Sequence, residues 1–185
     1  ALDPRRQRQS AARLAQHGAP APLRKMRERL ARCARGASGR WSRMILFVDA
    51  TALLKLYAAE PGSRQVRQAV LNAAGVYAVD FTYIEVRAAL AEGARQGLLM
   101  ANAAKKARDD FESDWQAIHV VTPDQALLRL ASEIAETHGL AAKAAMQLAA
   151  MQKIRDQLGS VPLHFLGASA SQAIAATMDI AVLPV

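Results

Sequence analysis

From residue 44 onward, short apolar runs alternate with amphipathic stretches, and that alternation predicts the elements. Ile45–Val48 is an unbroken run of large apolar residues, the pattern of a strand buried on both faces. Asp49 follows at once, then Thr51 and a helical run through Leu53, Leu54, Leu56 and Tyr57. Pro61-Gly62-Ser63 breaks the chain, and Ser63 is placed to cap a helix that ends near Ala73. Val76–Val79 reads as a second strand, followed by Asp80-Phe81-Thr82 and a helix to about Gln96, with Glu85 one turn inside it. Asn102–Gln116 reads as a helix that sends Phe111 and Trp115 to the core at i and i+4. His119–Val121 is a third strand, and Thr122-Pro123-Asp124 opens a helix, with Pro in its first turn, that stops at Gly139. An alanine-rich helix spans Ala141–Leu158, and Pro162–Leu166 forms a fourth strand. Ser169 or Ser171 then caps a helix to about Met178, and Ile180–Leu183 is the last strand. Strands alternating with helices predict an α/β fold whose parallel sheet is covered on both faces.

Charge divides the chain in two. The net charge of +8 is misleading as a whole: residues 1–43 hold twelve basic and two acidic side chains, +10, and the remainder holds twelve basic and fourteen acidic, −2. The apolar positions of residues 1–43 are too few and too scattered for a core, so this segment reads as a basic, disordered extension and the domain as residues 44–185. Three roles stay open for the extension: an arm for nucleic acid or an acidic partner, a targeting peptide of Arg-rich composition, or a dispensable appendage. The nearly neutral body gives no charge argument for nucleic-acid binding by the folded part. No apolar run approaches the ~20 residues of a membrane span. Cys33 is the single cysteine, which excludes an internal disulfide and a cysteine metal cluster and fits a reducing compartment. Together these predict a cytoplasmic protein with no membrane segment.

Candidate chemistry lies just past the strand ends. Open parallel sheets bind ligands outside the carboxyl ends of their strands, beside helix N-termini. Asp49 and Thr51 follow the first strand, Asp80, Thr82 and Glu85 the second, and Gly167, Ala168 and Ser169 the fourth. Asp49 and Glu85 are 36 residues apart and would sit over the same sheet edge, an arrangement suited to a hard cation with oxygen ligands. Asp49 also suits a helix cap, and both readings stay open on the residues alone. Asp80 reads first as an acid at a helix N-terminus and second as a further oxygen donor. His119, His138 and His164 lack ligand spacing, no paired base makes Ser169 or Ser171 a nucleophile, and Asp109, Asp110, Glu112 and Asp114 read as a solvated helix face.

The blocks VDATALLKLYAAEPGS, FTYIEVRAALAEGARQG, FESDW, AETHGLAAKAAMQLAAM and LHFLGASASQAIAA resemble, in order and spacing, the PIN-domain proteins, and most of all the VapC-type toxins of bacterial toxin–antitoxin pairs. The likeness runs from Met44 to Val185. It implies a three-layer fold with a parallel sheet flanked by helices and a Mg2+- or Mn2+-dependent endoribonuclease activity on RNA. It also implies a cognate antitoxin protein as partner and a homodimer. Residue by residue, Asp49 matches the family's first metal-binding and catalytic acid, Thr51 the hydroxyl that supports it, and Glu85 the second metal-binding and catalytic acid. The third acid position is occupied here by Ala144 and the fourth by Ser169, while Lys143 adds a positive charge where a cation belongs. The remaining pair is expected to hold Mg2+ or Mn2+ weakly or not at all. Two functional classes follow: a metal-dependent ribonuclease that tolerates the substitutions, or an inactive relative that keeps antitoxin or RNA binding and dimerisation. The missing carboxylates weigh toward the second.

Overall fold

Strand β1 (Ile45–Val48) is buried along its whole length, with Leu46, Phe47 and Val48 fully enclosed. Side chains alternate across a strand, and here the alternation sorts residues between two cores. Leu46 and Val48 pack with Leu53, Leu56, Val66, Val86 and Phe111 on one face of the sheet. Ile45 and Phe47 pack with Leu127, Ile134, Leu148 and Met151 on the other. The computed structural model describes residues 44–167, 175 and 180–183, so the expected disordered state of residues 1–43 and most of the helix expected before the last strand lie outside the described residues.

The remaining elements are α1 (Ala50–Tyr57), α2 (Ser63–Asn72), β2 (Gly75–Val79), α3 (Phe81–Arg95), α4 (Ala101–Trp115), β3 (His119–Val121), α5 (Gln125–His138), α6 (Ala142–Leu158), β4 (Leu163–Leu166) and β5 (Ala181–Val182). All strand pairs are parallel, in the order β3-β2-β1-β4-β5. Helices α1–α4 supply one core and α5–α6 the other, giving an α/β fold of three layers. The strand order reverses between β1 and β4, so the crevice at their carboxyl ends is the topological switch point, where ligands of open α/β sheets bind.

Most expected bounds hold within a residue or two, and the differences have local causes. Pro162 has no N–H to give a ladder, so β4 begins at Leu163 while the Pro162 carbonyl accepts from the Ile45 N–H at 2.9 Å. Ser63 is not the cap of α2: Gly62 takes that place at φ 89°, and the Ser63 hydroxyl instead accepts from the Glu60 N–H and donates to the Ala58 carbonyl. Pro123 precedes α5 rather than entering its first turn, because Asp124 caps the helix by accepting from the Leu127 N–H at 2.7 Å.

The acids of α4 do not form one solvated face. Asp109 and Asp110 do pair with Lys105 and Lys106 at the surface. Glu112, however, accepts from the Tyr83 hydroxyl and pairs with Arg87. Asp114 is only 5% exposed and accepts from the Tyr57 hydroxyl at 3.2 Å. Burial, with the Asp114 carboxylate beside it, pushes the Tyr57 phenol well above its ordinary range. α4 packs against α3 and α1, and that packing turns the second half of the acidic run inward.

Candidate functional site

Asp49 continues the extended backbone of β1, and its N–H donates to the Leu166 carbonyl of β4 at 3.2 Å. The chain then turns into α1, and the Asp49 side chain caps that helix. Its Oδ1 accepts from the Ala52 N–H at 2.9 Å and from the Thr51 hydroxyl at 2.6 Å. A carboxylate that is 1% exposed needs such donors, because burial without them is strongly unfavourable. Gly167 shows how tightly the switch point closes on it: a Cβ there would lie 2.6 Å from Asp49 Oδ2 and 2.4 Å from the Phe165 ring. Only glycine lets the chain leaving β4 pass so near the carboxylate.

Because β1 and β2 are parallel neighbours, the residues that follow them share one edge of the sheet. α3 starts there, and α1 packs on it. Asp80 caps α3, with its Oδ1 accepting from the Phe81 N–H at 2.7 Å, which is the helix-terminus role expected first for it. Glu85 lies one turn further on, its side chain 28% exposed. Its Oε1 sits 2.5 Å from Nζ of Lys143, in the first turn of α6. Its Oε2 is buried and has no hydrogen-bond partner among the described residues.

The ion pair therefore joins the second turn of α3 to the N-terminus of α6. Ala144, read as the position of a missing acid, is the next residue, is half-buried, and offers only a methyl group. Gln147, one turn along α6, is 1% exposed, and its Nε2 has no partner among the described residues. Thr82, one turn before Glu85 on α3, is fully buried with its hydroxyl likewise unpartnered there. Ser169 lies outside the described residues.

Residues 46–158 match the family described as PIN domain. The chain belongs to the PIN-domain family. It is also similar to Ribonuclease VapC3 of Pyrobaculum aerophilum, 31% identical over 115 residues that make up 62% of this chain and 87% of that protein, which places it with the VapC-type members. The family match spans Asp49, Thr51, Glu85 and Ala144 and stops at the end of α6, before β4 and Ser169.

A divalent cation in a PIN domain would have to be held by oxygens at the switch point, with one or two carboxylates completed by water and substrate phosphate. The donor set of this chain does not fit that need as it stands. Asp49 Oδ1 is already committed to two donors, and the Glu85 carboxylate carries an ammonium. Among the described residues no three His, Cys, Asp or Glu side chains gather as a metal cage requires. No helix among them is long and apolar enough to cross a membrane.

The sequence singled out Asp49, Thr51 and Glu85; the Thr51 hydroxyl bonds Asp49, and Glu85 lies in the helix that follows the neighbouring strand. Two features of the site were not legible there. The direction of the Lys143 side chain depends on how α6 docks against α3, which no local pattern encodes. Gly167 was visible as a glycine after a strand, but its tight approach to Asp49 emerges only when β4 pairs with β1.

Proposed function

We propose that this VapC-type PIN domain is a ribonuclease homologue that engages RNA and a cognate antitoxin protein without metal-dependent hydrolysis. The observation that carries the reading is the first turn of α6, where the Lys143 ammonium pairs with the Glu85 carboxylate and the next residue, Ala144, has no side-chain carboxylate. In the family reaction, bound metal ions would supply the Lewis acid that polarises a phosphoryl oxygen and activates water, so hydrolysis depends on the acids that hold them. Here Asp49, supported by Thr51, serves as a helix cap, and Glu85 serves as the counterion of a lysine. Loss of a group that orients or holds a catalytic metal lowers activity about 10- to 100-fold each, and Ala144 and Ser169 are two such losses. RNA as the bound nucleic acid follows from the kinship with a protein named as a ribonuclease. The antitoxin partner, the homodimer and a cytoplasmic setting belong to the same reading.

Incubating the full chain with end-labelled single-stranded RNA and Mn2+, then running native and denaturing gels side by side, tests both halves of the proposal. The expected result is a retarded band on the native gel and intact RNA on the denaturing gel. RNA that is not retarded removes the binding half, and RNA that is shortened in a chelator-sensitive way favours the active enzyme.

A further inference from the structure

A lysine in the first turn of a helix is misplaced by the ordinary electrostatics of helices. The N-terminus carries the positive end of the macrodipole, so cations are disfavoured there and anions favoured. α6 has no acid in its first turn and no side-chain cap on Ala141, and yet Lys143 occupies its second position. What makes the placement favourable is Glu85, whose carboxylate reaches the ammonium at 2.5 Å. The same carboxylate belongs to an acid that follows the carboxyl end of β2, as Asp49 follows that of the neighbouring strand β1.

We propose that Lys143 is a tethered cation standing in the place of a divalent metal at the Glu85 carboxylate, so that lysine and metal exclude one another there. This deepens the reading of an uncatalytic PIN domain and rests on it.

Three features support exclusion by competition rather than a site that is simply absent. Glu85 is intact and keeps a second oxygen, Oε2, buried without a partner among the described residues, so the carboxylate retains capacity that one ammonium does not fill. The Thr82 hydroxyl, one turn before Glu85 on the same helix, is buried and also unpartnered among those residues, and its oxygen can accept from water around a cation. The Lys143 side chain is 47% exposed, so it can swing into solvent without breaking the core. A divalent ion must displace it first, and the displacement weakens the apparent metal affinity.

Mn2+ alone is the probe, because binding can be followed by the loss of the free-ion electron paramagnetic resonance signal, and the arginines of residues 1–43 do not ligate it. The full chain would be titrated beside Lys143→Met, Lys143→Arg and the double variant Lys143→Met/Glu85→Gln. Removing a unit charge in contact with a partly exposed carboxylate is expected to tighten Mn2+ binding about tenfold or more in Lys143→Met. Lys143→Arg should keep the weak affinity of the parent, and the double variant should return to it. Lys143→Gln repeats the test if the methionine variant does not fold. Equal Mn2+ affinity in parent and Lys143→Met overturns the proposal, as does tightening that survives Glu85→Gln. These outcomes are independent of whether RNA is cut, so failure here leaves the functional reading to its own test.

Discussion

Ala144→Asp combined with Ser169→Asp should make the protein responsive to metal. An acid at position 144 enters the first turn of α6, where the helix dipole favours it by about 0.3–1 kcal/mol, and it offers Lys143 a second carboxylate to neutralise. Ser169 is assigned by resemblance alone, as it lies outside the described residues. With Asp49 and Glu85 the variant would hold four carboxylates near one sheet edge. Their mutual repulsion should lower stability in chelator. A ligand that binds only the folded state at a hundredfold excess over its Kd contributes about 2.7 kcal/mol, so Mn2+ should raise the variant's Tm by about 5–10 °C. The parent should show little change. On single-stranded RNA the variant should cleave about 10²- to 10⁴-fold faster than the parent, following the 10- to 100-fold typical of each restored group. A thermal scan with and without Mn2+, and the cleavage rate in the same buffer, check the two halves separately.

Phe111→Ala should produce the largest loss of stability of any single change in the aromatic cluster that carries the site. Phe111 is fully buried, with ring centroids 5.6 Å from Tyr57, 5.5 Å from Tyr83 and 5.6 Å from Trp115. Those partners lie on α1, α3 and α4, so one side chain ties together the helix capped by Asp49 and the helix that bears Glu85. Truncating a buried Phe typically costs about 3–5 kcal/mol, because the removed ring leaves a cavity that the neighbours fill only in part. At the 2–4 °C per kcal/mol expected for a chain of this size, the Tm should fall by about 6–20 °C. The buried Tyr57–Asp114 hydrogen bond beside the cavity should become accessible, so a rise in near-ultraviolet tyrosine exposure is the accompanying sign.

The fold was largely legible because its signals are local. A run such as Ile45–Val48 has few alternatives to a doubly buried strand, and Gly, Pro and Asp mark most of the element boundaries. What escaped were features that depend on which elements meet. The inward turn of Asp114 follows from α4 packing on α1 and α3, and a helix of mixed charge gives no hint of it. Ser63 looked like a cap because its type suits one, but the preceding Gly62 adopts the left-handed conformation and takes the position. At the site, the strand-then-acid pattern pointed to both Asp49 and Glu85. The partner of Glu85 was hidden, since Lys143 is 58 residues away in sequence and adjacent only through the docking of α6.

The central question is whether the Asp49–Glu85 pair sustains hydrolysis. The direct measurement is the rate of single-stranded RNA cleavage by the full chain in Mn2+, in chelator, and in Mn2+ with Asp49→Asn. Asparagine keeps a side-chain oxygen to cap α1 while removing the carboxylate charge that a metal would need. Equal, background-level cleavage under all three conditions is the predicted result. Cleavage that Mn2+ drives, chelator stops and Asp49→Asn abolishes would contradict it.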